Sequence, residues 1–362
     1  MPPIMAATAF IMAEFLEIPY PKIALSALIP ALLYYIAIFT QVHLQAVKRG
    51  FKGLPPEEIP SIQKLIRKGW IYFIPAAVLI YCLFWLYLPP ATSALFAVGA
   101  TVLVSLFKRE TRVIIISKAW TILEDTGRGV LEVGIICGIA GLVIGSISLT
   151  GLGLSLSDAL VTISGGNVFV LLILAAVGAI ILGMGMPITA TYIMLVVLIA
   201  PALIQLGIKP LAAHLFIMYF GAMSFLTPPV AIAAYVAAGI ADSEPMRTGF
   251  TGVRLGIIAY VIPFVFALEP SLILLGSVGN ILLTVTTALL GTLFLSVAFE
   301  GYLFNSLNIL KRIWCAIGAL GFLAPNLTAS IIGLVLIVPL LFWELRANRI
   351  FSLKTEEGSS NG

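Results

Sequence analysis

Charge is scarce in this chain: Asp, Glu, Lys and Arg make up 10% of its 362 residues, whereas hydrophobic residues make up 61%. A soluble domain carries about 25% charged residues, so a soluble fold is excluded and an integral membrane protein is indicated. Apolar runs recur at about the 20 residues that a spanning helix needs. Strand-like alternation is missing, which excludes an outer-membrane barrel. The fold class that follows is an all-α polytopic membrane protein, a helical bundle.

Cysteine is also scarce. Cys82, Cys137 and Cys315 lie inside apolar runs without CxxC or Cys/His spacing, so neither a zinc site nor a disulfide framework is expected. HExxH pairs, Gly-x-Ser-x-Gly elbows and Walker loops are missing. An enzyme is therefore not expected and no cofactor is implied. Without a phosphate-binding loop, uphill transport would have to draw on an ion gradient. The net charge of +4 concentrates in loops, a topology signal rather than a mark of nucleic-acid binding. No basic n-region or small-residue cleavage site marks a signal peptide.

What is present is proline set in pairs. Met1-Pro2-Pro3-Ile4-Met5-Ala6-Ala7-Thr8-Ala9 and Thr227-Pro228-Pro229-Val230-Ala231-Ile232-Ala233-Ala234 read as one element twice. Proline lacks an amide hydrogen and biases the preceding residue away from helix, so Pro-Pro between apolar runs forces a break. At membrane depth a broken helix frees carbonyls, which are tolerated only when buried in protein or lining a polar cavity. Paired interruptions in two halves point to the binding site of an inverted-repeat transporter. Pro2, Pro3 and Met5 form the expected tip of the first-repeat hairpin. The arm that should precede that tip is missing, so the chain reads as the C-terminal part of something longer.

Five segments follow along the chain. Residues 1–45 hold the end of the first-repeat hairpin and a following helix from Tyr20. Residues 46–128 hold a loop with Lys48, Arg49, Lys52, Lys64, Arg67 and Lys68 and a helical hairpin turned at Pro89-Pro90. A second basic segment with Lys108, Arg109 and Arg112 follows, then an amphipathic connector from Ser117 to Arg128. Both basic segments are expected in the cytoplasm. Residues 129–268 are the second repeat, opening with a span striped by Gly134, Gly138, Gly141 and Gly145, a pattern that favours close helix packing. Residues 269–345 are C-terminal membrane helices, and 346–362 a cytoplasmic tail, disordered from Thr355.

Two interruptions in the second repeat carry candidate chemistry. Gly183-Met184-Gly185-Met186-Pro187 divides an apolar run. Its glycines permit backbone geometry closed to other residues and Pro187 removes a helix hydrogen bond, so carbonyl oxygens can converge on a cation. Hard cations take oxygen ligands. The same residues fit a simple kink for close packing, and the segment alone leaves both readings open. Thr189 and Thr191 follow as polar residues along a substrate path.

The runs 212–226 and 230–241 are too short to cross a bilayer at about 1.5 Å per residue. Joined at Thr227-Pro228-Pro229, they fit a re-entrant hairpin. Ser224 and Thr227 either complete a cation cage or bond back to the preceding turn. Glu14 and Glu17 are expected at the water boundary, and His214 as a ring satisfied by packing. Arg254 must snorkel or find an acceptor.

The ordered series Gly183-Met-Gly-Met-Pro187, Ala200-Pro-Ala-Leu203, Ala213-His-Leu-Phe216, Tyr219-Phe-Gly221, Thr227-Pro-Pro229 and Pro245-Met-Arg-Thr-Gly-Phe250 resembles the large membrane subunit of tripartite ATP-independent periplasmic (TRAP) transporters. Within these it is similar to the fused permeases that work with TAXI-type binding proteins. The resemblance implies a multi-pass protein of a prokaryotic inner membrane with a cytoplasmic C-terminus. It also implies sodium-coupled import of an organic anion, a carboxylate, by an elevator mechanism. The implied partners are a periplasmic TAXI-type substrate-binding protein, the lipid bilayer, and a missing N-terminal permease segment or small membrane subunit.

The resemblance assigns sodium, held largely by backbone carbonyls, to Gly183, Gly185, Ser224, Thr227 and Val230. Pro187, Pro228 and Pro229 would set the geometry of the breaks, and Pro2, Pro3 and Met5 would belong to the matching first site. The alternative is a truncated or non-transporting membrane subunit whose breaks serve packing and assembly only.

Overall fold

The computed structural model describes residues 8–55, 57–59, 61–107 and 117–360. Pro2, Pro3 and Met5, and the basic residues Lys108, Arg109 and Arg112, lie outside the described residues. The described residues are built of helices and contain no β-strand. Among them, 6 helical stretches are long and apolar enough to cross a membrane, or 7 if the pair Gly141–Ile147 and Leu152–Ile163, bent by 68°, is one span. The chain is an all-α polytopic membrane protein.

The chain divides into two compact units. One holds the residues up to Ala24 and Gly53–Gly151. It contains α1 (Thr8–Leu16), the start of α2 (Tyr20–Ser26), α4 (Ile62–Gly69), a 3-10 turn Trp70–Tyr72, α5 (Phe73–Phe84), α6 (Pro90–Phe107) and α7 (Ala119–Thr150). Helices α5 and α6 pack as the hairpin that Pro89-Pro90 predicts. Pro90 opens α6, where a missing amide hydrogen costs nothing.

In α7 the structure departs from the expected surface connector, because one helix runs unbroken from Ala119 through Arg128 and Gly129. Glycine weakens a helix by about 1 kcal/mol but does not end it, and no proline intervenes. An ion pair between Arg128 and Glu124, at 2.8 Å, spans one turn just before the expected boundary. A methyl at Gly134, Gly138, Gly141 or Gly145 would meet no heavy atom within 4 Å, so this stripe packs against nothing among the described residues.

The second unit holds Leu25–Lys52 and the chain from Leu152 onward. Its helices are α3 (Leu28–Lys48), α8 (Leu152–Ile163), α9 (Val168–Gly183), α10 (Ile188–Gln205), α11 (Pro210–Met223), α12 (Ile232–Ile240), α13 (Pro245–Leu255) and α14 (Ile257–Leu268). After a 3-10 turn at Pro270–Ile273 come α15 (Val278–Glu300), α16 (Ile309–Leu323) and α17 (Leu327–Ser360). Starts are set locally: the side chains of Asn167, Glu244, Ser277 and Asn308 accept from the first free amides of α9, α13, α15 and α16. Helix α17 continues to Ser360, through the segment that reads as a tail from Thr355.

Helix α11 is the core of this unit and packs on α9, α10 and α14. Leu215, Phe216 and Ile217 of α11 are fully buried, as are Leu195 and Leu203 of α10 and Ile258 and Phe266 of α14. The Phe264 ring meets Phe216 at 5.4 Å and Phe220 at 5.6 Å, both edge to face. In lipid, such contacts hold helices through shape and dispersion rather than water exclusion.

The order of elements recurs. Helices α1 and α12 each have 9 residues. Each is followed by an acidic residue at positive φ, Glu17 at 52° and Asp242 at 49°. A short helix comes next, α2 of 7 residues or α13 of 11. It is broken from a longer continuation by one residue, Ala27 or Gly256. The paired Pro-Pro sequences thus precede matching series of helices.

Candidate ion and substrate site

Helix α9 ends at Gly183 because Met184 turns to extended backbone (φ −64°, ψ 124°) and Gly185 takes φ +78°, a conformation other residues rarely hold. Pro187 then caps α10. The interruption expected from the sequence is therefore an open turn of residues 184–187 between two helices. The last carbonyls of α9 have no intrahelical partner, and they carry the negative end of its dipole. The N-terminus of α10 presents the positive end beside them.

The break at the proline pair also forms as expected, with its two short arms packed mainly on other helices, α11 on α9, α10 and α14 and α12 on α13, rather than on each other. Helix α11 has 14 residues and α12 has 9, and the tip between them carries Ser224 to Ala231. At about 1.5 Å per residue neither arm crosses a hydrocarbon core of about 30 Å. The Pro228–Pro229 bond is cis, and Ala231 sits at φ 28°. Tyr235 donates its hydroxyl hydrogen to the carbonyl of Pro229, and Ala233 N–H donates to Phe225 O at 3.1 Å, closing the tip on itself.

Break and hairpin meet at Ser224. Its hydroxyl, 1% exposed, lies 3.0 Å from Gly183 O and 2.7 Å from Gly221 O. It has one hydrogen to give, so its lone pairs remain free. Thr191 is fully buried and donates to Pro187 O at 3.1 Å. A methyl on Gly183 would stand 3.0 Å from both Ser224 Oγ and Thr191 Cγ2, so glycine eases this approach and a side chain would have to push its neighbours apart.

Thr227 is fixed differently: its hydroxyl bonds Met223 O at 2.6 Å and the Tyr260 hydroxyl at 2.8 Å. Gly183, Ser224 and Thr191 are thus brought together, whereas Thr227 is tied to α14. Gly185 is exposed and open, and a methyl added there would meet nothing within 4 Å. Thr189, Val230, Pro187, Pro228 and Pro229 flank the junction on its break and tip, with Pro187 and Pro229 exposed and the others half-buried.

The remaining polar residues find their places. His214 is buried and its Nδ1 lies 2.7 Å from the Tyr192 hydroxyl, a specific partner that sequence spacing did not reveal. Glu14 and Glu17 are exposed. Arg254 finds acceptors, Gln45 Oε1 at 3.0 Å and Glu300 at 3.5 Å.

Several contributors escaped the sequence reading. Gly221 lets Thr191 Cγ2 approach to 3.0 Å from where a methyl would stand. On α13 and at its end, Gly249 faces Pro228, and Gly252 and the capping Gly256 both face Leu226, each close enough that a methyl would press on its neighbour at 2.8–3.0 Å. The spacing Gly-x-x-Gly-x-x-x-Gly was the available signal, a smooth face that seats the hairpin tip.

A family model described as "Tripartite ATP-independent periplasmic transporter, DctM component" matches residues 1–281. Comparison with curated proteins and with solved structures gave no match.

Proposed function

The chain belongs to the DctM component family of tripartite ATP-independent periplasmic transporters, and from that premise we propose that it is the membrane permease component of a sodium-coupled importer of a small organic carboxylate. The family is one of transporters, multi-pass in the inner membrane, whose members work with a periplasmic binding protein and a small membrane subunit. In this reading the binding protein is of the TAXI type and hands over the anion, and the transport helices move as an elevator. The C-terminus faces the cytoplasm, in keeping with Lys48, Arg49, Lys311, Arg312 and Arg346 near the helix ends assigned to that side.

The observation that carries the proposal is the junction of Ser224 with Gly183 at 3.0 Å. It joins the carbonyl end of α9, where Gly183 O also accepts from Met186 N at 3.4 Å, to the tip that carries Ser224. Sodium would be held there largely by backbone carbonyls at Gly183, Gly185, Ser224, Thr227 and Val230, with the Ser224 and Thr227 hydroxyls as further oxygens, and Pro2, Pro3 and Met5 would serve the matching first site. The substrate carboxylate would face the positive N-terminus of α10, beside Thr189 and Thr191. Charge is thereby sorted: cation at a helix C-terminus, anion at the adjoining N-terminus.

One observation favours the rival reading, in which the breaks serve packing and assembly alone. Ser224 and Thr227 already have carbonyl partners at 2.7 and 2.6 Å. Uptake by the reconstituted assembly with its binding protein, measured across a sodium titration, separates the two. Gly185→Val places a β-branched side chain at φ +78° and so strains the turn, and Thr227→Val removes the hydroxyl oxygen while keeping shape. Each should cost about 1–3 kcal/mol of sodium binding, which raises half-saturation by roughly 5-fold to 150-fold. Unchanged half-saturation in both variants selects the packing reading.

A further inference from the structure

A second polar site lies away from the junction. At the end of α15 opposite Glu300, a partly open cavity of about 160 Å³ is lined by the ends of α14 and α16 and the starts of α15 and α17. Its polar lining is Glu269, Asn280, Thr284, Thr287, Asn326 and Ser330, and no Lys, Arg or His among the described residues contributes to it. From Glu300 it is separated by the stretch of α15 beyond Ala288, about 18 Å at 1.5 Å per residue.

The lining offers acceptors. Thr287 gives its hydroxyl hydrogen to Thr284 O at 3.1 Å, and Ser330, 8% exposed, gives its own to Asn326 O at 3.4 Å. Their lone pairs remain. Asn326 Oδ1 accepts from Ala329 N at 2.7 Å, and Glu269 Oε1 accepts from Ser271 N at 3.3 Å. None of the described salt bridges involves Glu269. A half-buried carboxylate among hydroxyl and carbonyl oxygens, with no cation beside it, favours a cationic donor.

Size decides which kind. A water occupies about 30 Å³ of liquid volume, so the cavity has room for several. Direct ligation of a small metal ion needs oxygens at about 2.0–2.6 Å, usually with more than one carboxylate. A single carboxylate in a chamber this wide does not meet that need. The charge of Glu269, with no basic residue in the lining, also disfavours an anion as occupant.

We propose that this cavity binds an organic cation, a guanidinium or ammonium head, brought either by a free small molecule or by an Arg or Lys side chain of a partner protein. Under the orientation proposed above the cavity lies on the external side. The guanidinium would pair with Glu269 and donate to the hydroxyl and carbonyl oxygens around it.

The test uses the full chain in lipid nanodiscs and sodium-free buffer, with both faces accessible and no transport step, so it reads independently of the sodium site. Ethylguanidinium and a capped Gly-Arg-Gly peptide are titrated by calorimetry. Saturable binding is expected, weakened at least tenfold by Glu269→Gln, which keeps the oxygen that accepts from Ser271. Asn280→Asp, adding a second carboxylate, should tighten binding at least threefold and gives a reading even if Glu269→Gln fails to fold. Binding of the small cation alone identifies a soluble ligand, and peptide binding at least tenfold tighter identifies a partner side chain. No saturable binding of either, no change in either variant, or binding of calcium or sodium alone overturns the proposal.

Discussion

Arg254 of α13 and Glu300 at the end of α15 face each other at 3.5 Å, with very unequal burial: the arginine side chain is 38% exposed and the glutamate 2%. Gln45 bonds the same guanidinium at 3.0 Å, and Lys48 bonds the Glu300 carbonyl at 2.8 Å. Loss of the two partners should therefore be unequal. Arg254→Ala strands a buried carboxylate, which costs about 3–5 kcal/mol. Glu300→Gln leaves an arginine that still reaches Gln45 and solvent, at a cost of about 1 kcal/mol or less. Chemical denaturation in detergent should rank them in that order, and Glu300→Gln in the Arg254→Ala background should recover most of the loss. Equal effects would remove the burial argument.

Orientation gives a second expectation. Ser61 precedes α4 and is exposed, within the basic segment from Lys48 to Lys68. A single cysteine at Ser61, in a background free of Cys82, Cys137 and Cys315, should stay unlabelled by an impermeant reagent outside intact cells. It should react once the membrane is opened. Labelling in intact cells would invert the topology.

The parts of the fold that were legible in the sequence act through the local backbone. Pro187, Pro228 and Pro229 forbid helix where they stand, and Gly185 supplies the positive φ that the turn requires. Pro89-Pro90 turned a hairpin for the same reason. The boundary expected at Arg128 rested on apolar residues set among charges, a pattern that does not end a helix, and α7 runs through it. The same holds for the end of α17, which has no proline after Pro339. Contacts between distant positions left no local trace. Thr227 with Tyr260, Thr191 beside Gly221 and Arg254 with Glu300 depend on how whole helices pack, and only the helix containing each residue was readable.

The approach of α10 to α11 can be tested by adding and removing one methyl. A methyl on Gly221 would stand 3.0 Å from Thr191 Cγ2 and 3.5 Å from Leu195 Cδ1. Gly221→Ala should therefore destabilise by about 1–3 kcal/mol through overpacking. Thr191→Ser removes the methyl in question while keeping the hydroxyl that bonds Pro187 O at 3.1 Å. The double variant should be more stable than Gly221→Ala alone, read as the thermal midpoint of the purified protein. If the two substitutions simply add, the contact is not what excludes alanine.

Tyr260 offers the sharpest separation between an ion site and a packing kink. Its hydroxyl lies 2.8 Å from Thr227 Oγ1, while that same oxygen bonds Met223 O at 2.6 Å. Tyr260→Phe keeps the ring against Phe220, 6.5 Å away, and deletes only the hydroxyl. As a packing change it should cost about 0.5–1.5 kcal/mol of stability and leave sodium dependence alone. If Thr227 helps to hold the ion, Tyr260 orients it, and losing that bond frees the side chain to rotate. Half-saturation for sodium should then rise by about 2-fold to 10-fold, the equivalent of up to roughly 1.4 kcal/mol, while the maximal rate at high sodium changes little. A rise in half-saturation at preserved maximal rate supports the ion reading. A loss of stability with no change in sodium dependence would assign Tyr260 and Thr227 to holding the hairpin tip alone.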